Sequence, residues 1–350
     1  MHPHALARRH PHALARRHPH ALARRHALGL AAATLAAALT LGAGTPLAQP
    51  LSDRPIRILV GAPPGGTADI LARLVGEGLA KGLGQPVIVE NKPGGLGVIV
   101  MDSFMAAPRD GHTLLLSVNG LFTEIPHTLK PKYDPLKDVK PLVEVAGSGL
   151  VLVGNAALPP KTLSELVAWV KANPGKVNFA SYSPGTLSHV MGLLLNKTAG
   201  LDMQHIGYKG SPPAVQDVIG GQVQFMFDGL ATSVPHIRAG KLRAFAVSAP
   251  ERSHALPDVP TLAELGHKDM TRTAWLGLFT HPDAPATAQQ RLREEALKAL
   301  AVPALRDRLM AIGLGVNTSN PPTPEQMWAS LAADYKSVGD MLRSVNYKPE

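Results

Sequence analysis

"VGAPPGGTADILAR", residues 60–73, runs from an apolar strand end through a Gly-Pro turn into a helix with apolar residues at helical spacing. A strand that feeds a helix through a tight glycine turn is the building unit of parallel α/β sheets. Two nucleotide readings of this turn fail. Gly61 and Gly66 stand five apart as in a phosphate loop, but Thr67 and Ala68 occupy the places of the phosphate-reaching Lys and the magnesium-holding hydroxyl. The dinucleotide fingerprint fails because Pro63, not Gly, stands two places after Gly61. What remains is general anion chemistry. Gly65 and Gly66 allow close backbone approach, and a helix beginning near Thr67 aims unpaired N–H groups and its positive dipole end at the same spot. A small carboxylate fits such a site, and a turn without ligand is the alternative. Asp69, in the first helical turn, either pairs with Arg73 four residues on or meets a ligand's ammonium or hydroxyl group.

A second turn of the same kind is "FASYSPGTLSHV", residues 179–190, where Ser181, Ser183, Pro184, Gly185 and Thr186 lead into another helix. One such turn in each half of the chain permits two helix tips to face each other across a cleft. His189 reads either as a hydrogen-bonded, half-buried side chain or as a ligand contact. Asp228, ending the strand in "VQFMFDG", reads as a ligand contact or a hinge cap, and Lys209 as a fixed positive charge or a solvated residue.

Around these turns, short aliphatic runs alternate with helical patterns. Ile56–Val60, Val87–Val89, Leu114–Ser117, Leu150–Val153, Val177–Ala180, Val223–Phe227, Leu242–Val247 and Leu276–Thr280 are expected as strands, so the fold class is α/β. Thr162 with Glu165 and Thr261 with Glu264 fit capping boxes at helix starts, and Thr323–Pro324 fits an N-cap followed by Pro at the first helical position. Helices are expected over Ala286–Leu300, Pro303–Ile312 and Pro324–Val345. The last carries Met327, Trp328, Leu331, Tyr335, Val338, Met341 and Leu342 along one side, a core-packing stripe.

The N-terminal region reads as an export signal. Three copies of "HPHALARR" at 2–9, 10–17 and 18–25 form a basic segment, and a charge-free apolar stretch runs from Ala27 to about Ala43. Cleavage is expected after Ala48, although Pro46 occupies a position where a small residue is preferred. Seven of the fifteen His lie in this leader, six of them in the repeats, but Pro between the paired His and the lack of carboxylate or Cys there argue against a metal site. Residues 1–48 hold six Arg and no acid, so removing them lowers the formal charge from +9 to +3. A nucleic-acid partner thereby loses its compositional support. With no Cys, neither disulfides nor thiol chemistry contribute, and stability rests on buried apolar area. An exported hydrolase finds no G-x-S-x-G elbow, no H-E-x-x-H and no Cys nucleophile, which leaves only a dispersed triad. No catalytic residue, cofactor or metal is expected.

Taken in order, "APPGGTADILAR", "LGQPVIVENKPGGLG", "PRDGHTLLLS", "KTLSELVAWVKANPGKVNFAS", "YKGSPPAVQDVIGGQVQFMF", "GKLRAFAVSAPERSHALPDVPTLAEL" and "WLGLF" resemble the Bug-type extracytoplasmic solute receptors. That family supplies the substrate-binding component of tripartite tricarboxylate transporters. The resemblance covers residues 54 to 345 and implies a type II periplasmic-binding-protein architecture: lobe one from 52–148 plus 277–350, lobe two from 149–276, and crossovers near Leu150–Gly154 and Leu276–Thr280. It implies a monomeric periplasmic receptor for amino acids, di- or tricarboxylates or aromatic acids. Such a receptor delivers its ligand to membrane permease subunits, with a sensor kinase as an alternative partner. Carried over by position, the ligand-binding residues are Gly65, Gly66, Thr67 and Asp69 at the first turn and Ser181, Gly185, Thr186 and His189 at the second. Ser117 and Asn119 follow the third strand and Asp228 ends another cleft strand. Three positions depart from the family pattern: Ser183 for a usual Gly, Leu187 for a small polar residue, and Gly207 for a usual Pro.

Overall fold

Alternation along the first strand sets the layers. In Ile56–Val60 (β1), Ile56, Ile58 and Val60 join a core containing Leu71 and Leu79, while Leu59 joins another containing Phe104 and Phe279. Side chains that alternate across a strand bury both faces of a sheet covered by helices on each side. The computed structural model describes residues 51–129 and 131–347; the expected export leader, 1–48, lies outside the described residues.

After β1 come α1 (Thr67–Leu83), β2 (Val87–Asn91), α2 (Val98–Met105), β3 (Thr113–Val118), two short helices α3 (Gly120–Thr123) and α4 (Ile125–Thr128), and β4 (Lys140–Ser148). The chain then builds β5 (Leu150–Asn155), α5 (Leu163–Lys171), β6 (Asn178–Ser181), α6 (Leu187–Ala199), β7 (Gln204–Gly207), α7 (Ser211–Ile219), β8 (Phe225–Gly229), α8 (Leu230–Arg238) and β9 (Leu242–Val247). It returns through β10 (Ala274–Thr280) to α9 (Ala286–Ala301), α10 (Pro303–Ala311) and α11 (Pro324–Ser344). The strands form two five-stranded sheets, β2-β1-β3-β10-β4 and β7-β6-β8-β5-β9. In each, three strands run parallel and the strands that connect the halves pair antiparallel.

The fold is the expected α/β class, with two strands beyond those expected. β4 contains Pro141 and Glu144 and lies at a sheet edge, where a missing N–H is tolerated. β7 is a four-residue edge strand, too short for alternation to register. Thr261 and Glu264 do exchange both capping hydrogen bonds at 3.0 Å, yet turns follow instead of the expected helix, because the chain reverses at Gly266 with φ +93°. Thr323 is the N-cap expected ahead of Pro324, and Gln326 completes a capping box with it.

Ser248 ties the two connections together. Its hydroxyl donates to Arg272 O and accepts from Leu150 N–H, while its own N–H bonds Leu150 O. The apolar stripe of α11 packs as core, but in two cores. Leu331 sits with Phe104 and Phe279, whereas Met341 and Leu342 sit with Leu166 and Phe179 of the second half.

Packing in the second half is tight at Gly192 of α6. A Cβ there would lie 2.1 Å from the Phe179 ring. Alanine is the better helix former by about 1 kcal/mol, but overpacking a filled core costs about 1–3 kcal/mol. Gly192→Ala is therefore expected to lower the urea midpoint of unfolding; an unchanged or higher midpoint contradicts this packing.

Candidate functional site

The two glycine turns share one local device. Gly65 adopts φ +80° and its N–H donates to Asp69 Oδ2 at 2.9 Å; Gly185 adopts φ +71° and its N–H donates to His189 Nδ1 at 3.1 Å. In each turn a left-handed glycine is stapled by a side chain four residues on, within the helix it precedes. Asp69 also receives Asn91 Nδ2 at 2.9 Å and pairs with Arg73 at 2.8 Å, as one sequence reading expects. Burial alone pushes its pKa up, but hydrogen bonds from Arg73, Gly65 N–H and Asn91 hold it below the usual carboxylate range. Burial, reinforced by the facing His205, lowers the His189 pKa to about 3; the ring is neutral and accepts through Nδ1. It stacks on His205 with centroids 3.5 Å apart.

Between the halves lies a cavity of about 360 Å³. Four helices present their first residues to it: α1 through Gly66, Thr67 and Ala68, α6 through Thr186, α7 through Gly210 and Ser211, and α8 through Gly229. In none of the four does the N-cap residue's own side chain close the helix start. The aligned dipoles of the four helices, with the first-turn N–H groups of α1 and α8, make the wall attractive to an anion without a metal or a cluster of cations. Glu124 takes the first N–H of α6, and Pro212 and Pro213 leave α7 only that of Ser211 among its first three residues. Among the described residues lining the cavity, Lys209 is the one basic side chain; Leu96, Leu121, Val118 and Leu276 supply apolar surface.

Of the expected site residues, Gly66, Thr67, Ser117, Ser183, Thr186 and Asp228 line this cavity. Gly65, Asp69, Gly185 and His189 lie behind the wall and shape the turns. Ser181 is fully buried, with its hydroxyl 2.7 Å from His205 Nε2. Asn119 is turned toward α11, donating to Asp334 at 3.3 Å. Asp228, also fully buried, accepts Ser211 Oγ at 2.6 Å, Thr232 Oγ1 at 2.5 Å and Ser233 Oγ at 2.7 Å. Burial raises its pKa against the opposing pull of those hydroxyls and of Gly229 N–H. The carboxyl group thus fixes the first turns of α7 and α8.

Sequence reasoning passed over the helix tips at Gly210 and Gly229, the Gly94–Gly97 loop, Tyr182 and Glu124, all in the wall. A glycine directly before a helix start was the available signal for the two tips. Glu124 carried none, since its burial arises from contacts made far along the chain.

The halves meet closely at glycines. A Cβ on Gly229 would lie 2.6 Å from Thr67 Oγ1, one on Gly210 2.4 Å from Pro63 Cγ, and one on Gly185 2.6 Å from Thr128 Cγ2. Among the described residues, no group of three or more His, Cys, Asp or Glu is placed to hold a metal, and no helix is long and apolar enough to cross a membrane.

Residues 71–343 match the family described as the tripartite tricarboxylate transporter family receptor. BugT of Bordetella pertussis is 34% identical over 312 residues, spanning 88% of this chain and 95% of that protein. The periplasmic binding protein BugD superposes with a TM-score of 0.81 at 30% identity, over 85% of this chain and all of that one. MatC of Rhodopseudomonas palustris, a structure with bound malate, superposes with a TM-score of 0.77 at 31% identity, over 84% of this chain and all of that one.

Proposed function

The chain belongs to the tripartite tricarboxylate transporter receptor family, a family of binding proteins and not of enzymes, and from that premise we propose that it captures a small carboxylate between its halves. The receptor works in the periplasm and hands its ligand to the membrane permease subunits of a tripartite transporter. The observation that carries this reading is the convergence of four helix N-termini on one cavity. MatC, with malate bound on the same fold, supports a carboxylate as the ligand class.

Gly66 and Thr67 from one side and Ser183 and Thr186 from the other offer donors to the bound carboxylate, and Ser117 adds a hydroxyl from β3. Asp69, His189, Gly65, Gly185, Ser181, Asn119 and Asp228 act through the turns and helix ends they hold. Hydrogen bonds to a charged group contribute about 1.5–3 kcal/mol each, so a few donors reach micromolar affinity, about −8 kcal/mol. Donors from both halves engage together only when the halves are closed, so the ligand shifts a hinge equilibrium toward closure.

Screening malate, succinate, glutamate and benzoate by thermal shift and calorimetry is expected to show saturable, one-to-one stabilisation by at least one acid. At a ligand concentration about 100 times Kd the gain is about 2.7 kcal/mol. A folded protein indifferent to this panel and to a wider set of organic acids contradicts the proposal.

A further inference from the structure

Glu124, in the link between α3 and α4, stands where the cavity, the second half and the C-terminal helix meet. It is 7% exposed and lines the ligand cavity. On its other side it lines a smaller hollow shared with Asn119, Arg272 and Asp334. Its Oε2 accepts the N–H of Leu187, the first residue of α6 in the other half, at 2.8 Å. Among the described residues that is the one hydrogen bond its carboxyl group receives, and no cation pairs with it.

The charged and titratable groups around it do not neutralise it. Asp334 on α11 is a second carboxyl group, itself pushed up by burial against a hydrogen bond from Asn119. Arg272 shares the smaller hollow but directs Nη1 to Thr271 O at 2.7 Å. Tyr182, facing from the second half, is raised by burial and then by the charges of Glu124 and Asp228, so it stays a neutral phenol. Burial pushes the Glu124 pKa up to about 7; the Leu187 N–H opposes this and the Asp334 charge adds to it.

We propose that Glu124 is a further ligand-binding residue: its protonated carboxyl group donates a hydrogen bond to the bound carboxylate while its other oxygen holds the start of α6, so ligand and proton are captured together. This rests on the receptor reading above. A second anion entering the cavity cannot sit beside an ionised Glu124 without cost, because two like charges in one buried site favour keeping one proton between them. Above the Glu124 pKa the proton comes from solvent and binding consumes one proton per ligand. Below it the proton is already in place and none is taken up. No bond other than the O–H of Glu124 forms.

The test uses the leader-free protein and whichever of malate, succinate, glutamate and benzoate binds it, titrated from about pH 6.5 to about pH 8.5, a range in which these ligand carboxyl groups are already ionised. Calorimetry in two buffers of different ionisation enthalpy counts the protons taken up by the wild type, so this measurement needs no variant. Affinity is expected to fall about tenfold per pH unit above about 7, with uptake approaching one proton. Glu124→Gln, which keeps an acceptor for Leu187 N–H and a donor for the ligand but cannot titrate, is expected to abolish that slope. Binding that is independent of pH with no proton uptake, or a slope that survives in Glu124→Gln, overturns the proposal while the receptor reading stands. If no acid binds the wild type at any pH, the receptor reading falls and this proposal falls with it.

Discussion

Gly229→Val is expected to weaken carboxylate binding by about two orders of magnitude, some 3 kcal/mol, while the ligand-free protein stays folded. Gly229 precedes α8 with φ −67° and ψ 139°, a conformation open to any L-residue. Within its own half the nearest atom to an added Cβ is Thr232 Oγ1 at 3.8 Å, an ordinary contact. Across the gap, Thr67 Oγ1 at the start of α1 lies only 2.6 Å away. The glycine is thus required by the approach of one half to the other and not by its backbone angles. A valine there penalises the closed arrangement alone, and apparent affinity falls in proportion to the lost closed population. Replacing an N-cap glycine removes at most about 1 kcal/mol of helix stability, so the urea midpoint of the free protein should shift little. Calorimetry measures the affinity and small-angle scattering the radius of gyration, which should exceed that of the liganded wild type. Unchanged affinity refutes the claim that closure through this contact gates binding. Gly210 is a poorer probe, since its φ of +116° would add backbone strain to the clash with Pro63.

The two turns that define the cavity's ends were legible because each combines a strand, a glycine and a helix start within a dozen residues. Their staples were legible only as residues. Asp69 and His189 read equally well as ligand contacts or as local partners, and the choice depends on which way each side chain turns. In both turns the left-handed glycine settles it by presenting its N–H to the residue four places on. Asn119 was placed near the cleft by its position after β3, but its amide meets Asp334, 215 residues away, which no local pattern encodes. Glu124 is the same case in stronger form: its hydrogen bond to Leu187 spans 63 residues and joins the two halves. The stripe on α11 announced a buried helix face; that the face serves two cores is a property of the assembled halves.

Asp228 shows how one carboxyl group at a strand end organises the wall without offering itself to a ligand. Ser211 begins α7, Thr232 and Ser233 lie in the first turns of α8, and all three hydroxyls donate to it. Asp228→Ala leaves Ser211 and Thr232 with each other at 2.9 Å, and Thr232 with Gly229 O, also at 2.9 Å. Ser233 Oγ loses its partner in a fully buried site, and Gly229 N–H loses one at the half-buried cavity wall. An orphaned buried donor costs about 1–3 kcal/mol, so the expected loss is about 3 kcal/mol, read from urea unfolding. The loss should also depend on pH. Because burial raises the Asp228 pKa, the folded wild type binds more protons than the unfolded chain between the usual Asp value and its own. Its contribution is therefore fully present below the usual value and declines as pH rises through the raised one. The alanine variant lacks this titration while Glu124 and Asp334 titrate in both proteins, so the stability difference should shrink as pH rises. A difference that is constant or grows with pH contradicts a raised pKa at this site. Ligand affinity should fall in the same variant, because two of the four helix tips facing the cavity are held in register through this one side chain.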